Sequence, residues 1–283
     1  MTSYKDITIT PLSNAIGAEI SGVDISLDLA ESTIAEIRQA LLDNLVIFFR
    51  DQDLSAPERH REFTTRFGEI FIHPNFNLGQ KNPEMVYLNR KPGDQAATGE
   101  TWHADTTMME NPPMGAILYA IEAPDWGGDT LFSNQYLAYK NLSDGMKELL
   151  SGLKAVHNDS RVAGPKAGLN SKRSTQVRED SEWTLTESIH PVVRTHPETG
   201  QKGLFINSIY VHRFDGMTVQ ESAPLLNFLY DQSTKPEYTC RFRWRTGSVA
   251  FWDNRCVQHL AIHDNHKATR RMQRTQLTGG QVQ

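Results

Sequence analysis

Only two cysteines, Cys240 and Cys256, occur in 283 residues, so a disulfide-dense framework is excluded and one bridge is the most the count allows. Such sparing cysteine use fits a reducing cytoplasm. No apolar run approaches the roughly 18 to 20 residues that a helix needs to cross a bilayer, so no membrane partner is expected. The opening Met1-Thr-Ser-Tyr-Lys-Asp6 lacks the apolar segment of a secretory leader, which gives the same cytoplasmic expectation. There is no internal repeat, low-complexity tract or long Lys/Arg block. With a formal net charge of −5, the chain has no general electrostatic reason to bind nucleic acid. What is present is an ordinary globular composition, 38% hydrophobic and 22% charged, on a chain long enough for one substantial core. A single domain over residues 1–283 is expected.

The local patterns are mainly those of short strands. Residues 7–12 and 16–20 predict two strands joined by a turn, and Leu45-Val-Ile-Phe-Phe49 predicts a buried one. Ile34, Ile37, Ala40 and Leu41 recur at helical spacing, and Ser55-Ala-Pro-Glu58 carries a capping-box pattern ahead of a second helix. Strands are expected at 116–121, 190–195, 203–207 and 238–245. Thr246-Gly247 then offers a hairpin turn into a strand at 249–252. Helices are expected near 142–153 and 222–230. The polar stretch 158–184, with Gly164, Pro165 and Gly168, predicts an excursion from the core. Many strands with a few peripheral helices favour a β-sandwich over a bundle.

The most informative cluster is Trp102-His-Ala-Asp105. On an extended strand, residues two apart point to the same side, so His103 and Asp105 can converge on one ion. His259, far along the chain, is the candidate for a second imidazole. Two imidazoles and one carboxylate suit iron(II), because they occupy one face and leave positions for oxygen and a bidentate 2-oxo acid. Taken alone, His-x-Asp is a weak signal, and a local hydrogen-bonded pair is the readier account of His103 and Asp105. Zinc also accepts these donors, though a hydrolytic site leaves the arginines downstream less well explained. Arg270 and Arg274 share one face if their segment is a strand, with Arg271 opposite. Guanidinium groups grip carboxylates bidentately, although a solvated basic edge strand has the same pattern.

Taken together, these motifs make the chain resemble the TauD/TfdA family of iron(II)/2-oxoglutarate-dependent dioxygenases. The resemblance runs from Ile7 to Gly279. It includes Phe67-Gly-Glu69, His73-Pro74, Trp102-His-Ala-Asp-Thr106, Pro112-Pro113, Gly127-Gly-Asp-Thr130, Asn207, Trp252-Asp-Asn254 and His259. It implies a mainly β fold with flanking helices, the double-stranded β-helix or jelly roll, assembled as a dimer or tetramer. It implies that His103, Asp105 and His259 bind Fe(II), and that Thr130 and Arg270 bind the cosubstrate 2-oxoglutarate. His73, Thr106, Tyr210 and Arg274 are implied to face the substrate. Molecular oxygen is then the second cosubstrate, and succinate and carbon dioxide leave beside a hydroxylated product.

Departures from the taurine pattern bear on the substrate. Thr98-Gly99 stands where taurine enzymes carry Asp-Asn for the substrate amine, Phe76 replaces a Tyr, and Tyr210 replaces a Phe. Stretches such as Ser160-Arg-Val-Ala-Gly-Pro165 and Gly203-Leu-Phe-Ile-Asn207 resemble aryloxyalkanoate dioxygenases instead. The expected substrate is therefore a small organic anion, among sulfonates, sulfate esters and aryloxyalkanoates, with C–O or C–S cleavage following hydroxylation. Halogenation is disfavoured because Asp105 occupies the position a halide would need. A catalytically inactive metabolite-binding protein on the same fold is the reading from another class.

Overall fold

The computed structural model describes residues 4–76, 82–165, 168, 170–177 and 183–283. Eight positions of the expected excursion (166, 167, 169 and 178–182) lie outside the described residues. In chain order, β1 (Thr8–Pro11) and β2 (Ala18–Ser21) pair antiparallel, α1 (Glu31–Asn44) leads into β3 (Val46–Phe49), and α2 (Pro57–Thr65) precedes β4 (Val86–Arg90). Next come β5 (Gly115–Glu122), β6 (Thr130–Asn134), α3 (Gln135–Lys140), α4 (Asp144–Leu150) and β7 (Lys154–Asn158). They are followed by β8 (Glu187–Pro191), β9 (Val193–Thr195), β10 (Lys202–Leu204), β11 (Val211–Phe214) and α5 (Val219–Ser233). The last strands are β12 (Thr239–Phe242), β13 (Val249–Asp253), β14 (Val257–Ala261) and β15 (Arg270–Leu277).

The architecture is mainly β. A seven-stranded sheet runs β1-β2-β3-β13-β5-β15-β4, and a three-stranded sheet runs β12-β6-β14. Alternation along β3 explains the layering. Val46 and Phe48 point to the smaller sheet, where Phe48 stacks on Phe242 at 4.0 Å and meets Phe132 edge-on at 5.5 Å. Ile47 and Phe49 point the other way, into a core closed by Ile34, Ile37 and Leu41 of α1 and by Phe63 and Phe67. Every β3 residue is buried, so the segment reads as a continuous apolar run rather than an alternating one. Truncating Phe48 to Ala would cost about 3–5 kcal/mol of stability.

Several local expectations change. Helix α2 starts at Pro57 with Ala56 as its N-cap and no side-chain cap, because the Ser55 hydroxyl donates to Asp53 instead. The realised capping box is Thr218 with Glu221 on α5. The segment 190–195 divides into β8 and β9, which belong to different sheets. The expected hairpin at Thr246-Gly247 is not one: β12 pairs with β6, whereas β13 pairs with β3 and β5. That turn therefore crosses between the two layers. Both cysteines are buried and free. No helix among the described residues is long and apolar enough to cross a membrane.

Candidate active site between the two sheets

His259 sits on β14, whose register with β6 is continuous from Val257 to Ala261. His103 lies outside any named strand but forms a single antiparallel bridge to it. The amide of His103 donates to the His259 carbonyl at 3.1 Å, and the reverse bond measures 2.8 Å. The two imidazole centroids stand 4.1 Å apart. Trp252 of β13 packs 4.6 Å from the His259 ring, in keeping with a packing role for that indole.

Asp105 arrives by a turn rather than by an extended strand. Thr106 adopts φ 54°, a left-handed conformation that β-branched residues seldom take and that must be held by its surroundings. Asn254 does the holding. Its Oδ1 accepts the Asp105 amide at 2.7 Å, and its Nδ2 donates to the Asp105 and Pro113 carbonyls at 3.0 Å each. Sequence reasoning named Asn254 only as part of a motif and gave it no role.

Donor atoms of His103, Asp105 and His259 all lie within 4.8 Å of one another. His103 Nδ1 is 2.7 Å from the Thr101 carbonyl, which can only accept; that nitrogen therefore carries the proton and Nε2 offers a lone pair. The Nε2 atoms of His103 and His259 lie 3.6 and 3.9 Å from Asp105 Oδ1. Burial, then the neighbouring His103, pushes the His259 pKa well down, so it stays neutral. Burial alone would raise the Asp105 pKa, but Arg274 and the imidazoles hold it well below the carboxylate range. Two imidazoles and one carboxylate fit a divalent iron by donor type and spacing.

A cavity of about 250 Å³ opens beside this trio and is lined by His103 and Asp105. Arg274 of β15 also lines it and donates through Nη1 to Asp105 Oδ1 at 3.0 Å and Oδ2 at 3.3 Å. Its Nε is buried without an acceptor. His73 lines the same wall, with Nδ1 accepting the Asn75 amide at 3.1 Å, so its proton is on Nε2. Burial, reinforced by Arg274, lowers its pKa to about 3, which leaves a neutral N–H donor beside a cation. Tyr210 completes the polar wall, and burial raises its pKa. Phe76, Val162, Val177 and Ile209 supply the apolar side. Thr106 is fully buried and does not line the cavity. Asn207 caps the turn into Tyr210, its Oδ1 accepting the amides of Ile209 and Tyr210.

Thr130 and Arg270 lie together around Trp244. The Thr130 hydroxyl accepts from Trp244 Nε1 at 2.9 Å, which leaves its own proton to donate, and the Arg270 guanidinium stands 5.5 Å over that indole. Arg270 and Arg274 share a buried face of β15, while Arg271 between them is exposed, as the two-residue period predicts. Burial, then Arg90, lowers the Arg270 pKa to about 9. Arg90 of β4, a residue outside every motif read from the sequence, stands opposite Arg270. Four of the other histidines are spent elsewhere: His60 on Thr275, His157 on Thr107, His190 on the Met109 carbonyl and His196 on Asp253.

Residues 8–276 match the profile of the taurine catabolism dioxygenase TauD, TfdA family. The chain belongs to this family. Like its TauD/TfdA relatives, it is an iron(II)- and 2-oxoglutarate-dependent dioxygenase that uses molecular oxygen. An alpha-ketoglutarate-dependent sulfate ester dioxygenase of Pseudomonas putida is 35% identical, covering 97% of this chain and 90% of that protein. An alkylsulfatase of Acinetobacter baylyi is 34% identical over 95% of this chain and 84% of its own length. The crystal structure of a taurine dioxygenase from Burkholderia xenovorans superposes with a TM-score of 0.81 at 37% identity, covering 98% of this chain and 91% of that one.

Proposed function

We propose that His103, Asp105 and His259 hold the iron(II), that Thr130 and Arg270 hold 2-oxoglutarate, and that the substrate is a small organic sulfate ester or sulfonate. The facing sheets are, in this reading, the two halves of a double-stranded β-helix, which is how strands so far apart in sequence come to share one ion. One observation carries the proposal: three metal-donor atoms lie within 4.8 Å of one another, and two of their residues, His103 and Asp105, line a cavity whose other wall pairs a neutral His73 donor with the Arg274 cation. An anion placed there meets Arg274 and His73, while its carbon chain faces Phe76, Val162, Val177 and Ile209. Thr98-Gly99 offers no charge to a substrate amine, which favours an alkyl or aryl tail over an aminoalkyl one.

The bound iron supplies oxidation of a C–H bond, coupled to decarboxylation of 2-oxoglutarate to succinate. The chain's own groups do the placing. Arg274 and His73 anchor the anionic head so that the adjacent carbon faces the His103–Asp105–His259 edge. Hydroxylation of the carbon bearing a sulfate leaves an unstable hemiacetal ester, which collapses to an aldehyde and sulfate; a sulfonate gives an aldehyde and sulfite. The test is an anaerobically prepared iron protein given oxygen with alkyl sulfates, alkanesulfonates and aryloxyalkanoates in turn. Succinate and the organic product should appear together for the sulfate ester or sulfonate. Coupled turnover of aryloxyalkanoates alone would sink the substrate assignment, and product formation without oxygen would sink the chemistry.

A further inference from the structure

Arg90, at the end of β4, stands directly opposite Arg270, at the start of β15. Opposed residues on antiparallel strands share a face, and like charges in that position repel. Both side chains are buried, at 6% and 8% exposure. They close around Gly128: a Cβ there would stand 2.5 Å from Arg90 Nη2 and 3.7 Å from Arg270 Nε. Any side chain at 128 would therefore displace the Arg90 guanidinium.

Carboxylates lie near this pair without gripping it: Asp264, Asp94 and Glu100 favour the charge on Arg90, and Asp129 favours that on Arg270. Among the described residues neither arginine makes an ion pair, and Arg90 spends only Nη1, on the Ile262 carbonyl at 3.2 Å. Arg90 Nε and Nη2 and Arg270 Nε are buried without acceptors. The acids nearby are engaged: Asp129 accepts from Arg241 at 2.6 Å, Asp264 accepts the Gly128 amide at 2.8 Å, Asp94 accepts the Ser174 hydroxyl at 3.0 Å, and Glu100 accepts the Ala97 amide at 3.0 Å. Two opposed, buried cations with unspent donors are costly unless an anion joins them. Between them lies a small cavity also bordered by Thr98 and Ala261.

We propose that Arg90 is a second guanidinium for the distal carboxylate of 2-oxoglutarate, and that the Arg90–Arg270 pair selects 2-oxo diacids over 2-oxo monoacids of equal length. The inference rests on the reading of Arg270 given above. A carboxylate has lone pairs for two forked donors, so each guanidinium takes one edge. A methyl group in its place leaves both cations buried and unpaired, which is the origin of the discrimination.

The test compares calorimetric affinities of iron(II)-loaded protein, under nitrogen, for 2-oxoglutarate and for 2-oxovalerate, which carries a methyl group where the distal carboxylate stands. Arg90→Met should cut the preference for the diacid roughly 10- to 100-fold, the worth of one charged hydrogen-bonding partner, with 2-oxovalerate affinity little changed. Arg270→Met serves as the control. If it collapses the preference while Arg90→Met leaves it intact, the present inference is overturned and the Arg270 assignment stands. If Arg270→Met also leaves it intact, both fail. Thermal melting separates a merely structural role: ligand-free Arg90→Met should melt no lower than wild type, because a repulsion is relieved, and should gain less from 2-oxoglutarate. An equal gain overturns the proposal. Should Arg90→Met not fold, Arg90→Lys keeps the charge without the fork and should still weaken the preference; an unchanged preference overturns it equally.

Discussion

Two buried groups in this molecule have nearly the same ingredients and opposite fates. His103, Asp105 and His259 bring three ligand-type atoms within 4.8 Å, and so do His196, Asp253 and Cys256. In the second group the carboxylate is fully occupied. Arg255 grips both Asp253 oxygens at 2.8 and 2.6 Å, His196 Nε2 lies 3.0 Å from Oδ2, and Arg255 continues to Glu198 at 2.6 Å. Burial, then Asp253, pushes the Cys256 thiol pKa well up, so no thiolate is on offer. In the first group Arg274 touches Asp105 through Nη1 alone, and among the described residues no hydrogen-bond donor is recorded on either imidazole Nε2. Metal-like composition marks both clusters, but only unspent lone pairs beside an open cavity make a site.

The comparison is broken most severely at Asp105. Asp105→Ala should lose iron and turnover together, by on the order of 10^3-fold or more in turnover, read by iron content and coupled succinate formation. Asp253→Ala should instead cost stability, about 3–5 kcal/mol, because Arg255 is left buried with one partner fewer; chemical denaturation measures this. Wild-type-like denaturation of Asp253→Ala would erase the distinction between the two clusters. The sign with pH follows from the depressed Asp253 pKa in the folded state. Its contribution is present above the unfolded carboxylate value of roughly 3.9 and fades as pH falls below it, so the gap between wild type and Asp253→Ala should narrow on acidification.

Arg274→Ala sharpens the contrast within the first cluster. It should lower kcat/KM for the organic substrate by roughly 10^2-fold, the cost of truncating one buried charge partner, while iron content holds. Equal losses in iron would make Arg274 a support of Asp105 rather than a substrate anchor. Asn254→Ala should act more weakly, weakening iron binding by about 10-fold, because it frees the Asp105 backbone without removing a donor. An iron titration on the purified variant checks it.

Much of this was legible in residue types and short spacings. The four-residue interval from Arg270 to Arg274 and the apolar run of β3 carry their meaning locally, whereas Asp105 reaches the side of His103 by a turn and not by the strand alternation expected of it. Helix α1 buries the expected Ile34, Ile37, Ala40 and Leu41 because that stripe recurs on one face at every turn. The hairpin misreading at Thr246-Gly247 shows the limit: a turn's residues specify how sharply the chain bends, not which sheet receives the next strand. Asn254 was invisible for a related reason, since its amide partners, Asp105 and Pro113, come from a distant part of the chain.

The sequence by itself determined the kinds of groups available: two imidazoles and a carboxylate for a metal, arginines for anions, and strands to carry them. Tertiary structure alone decided which of two similar clusters stays open, and that Arg90 faces Arg270 across adjacent strands. The physical reason is that neutralisation depends on distance and burial. Whether a charge has spent its partners is set by chain segments that meet only when the sheets pack.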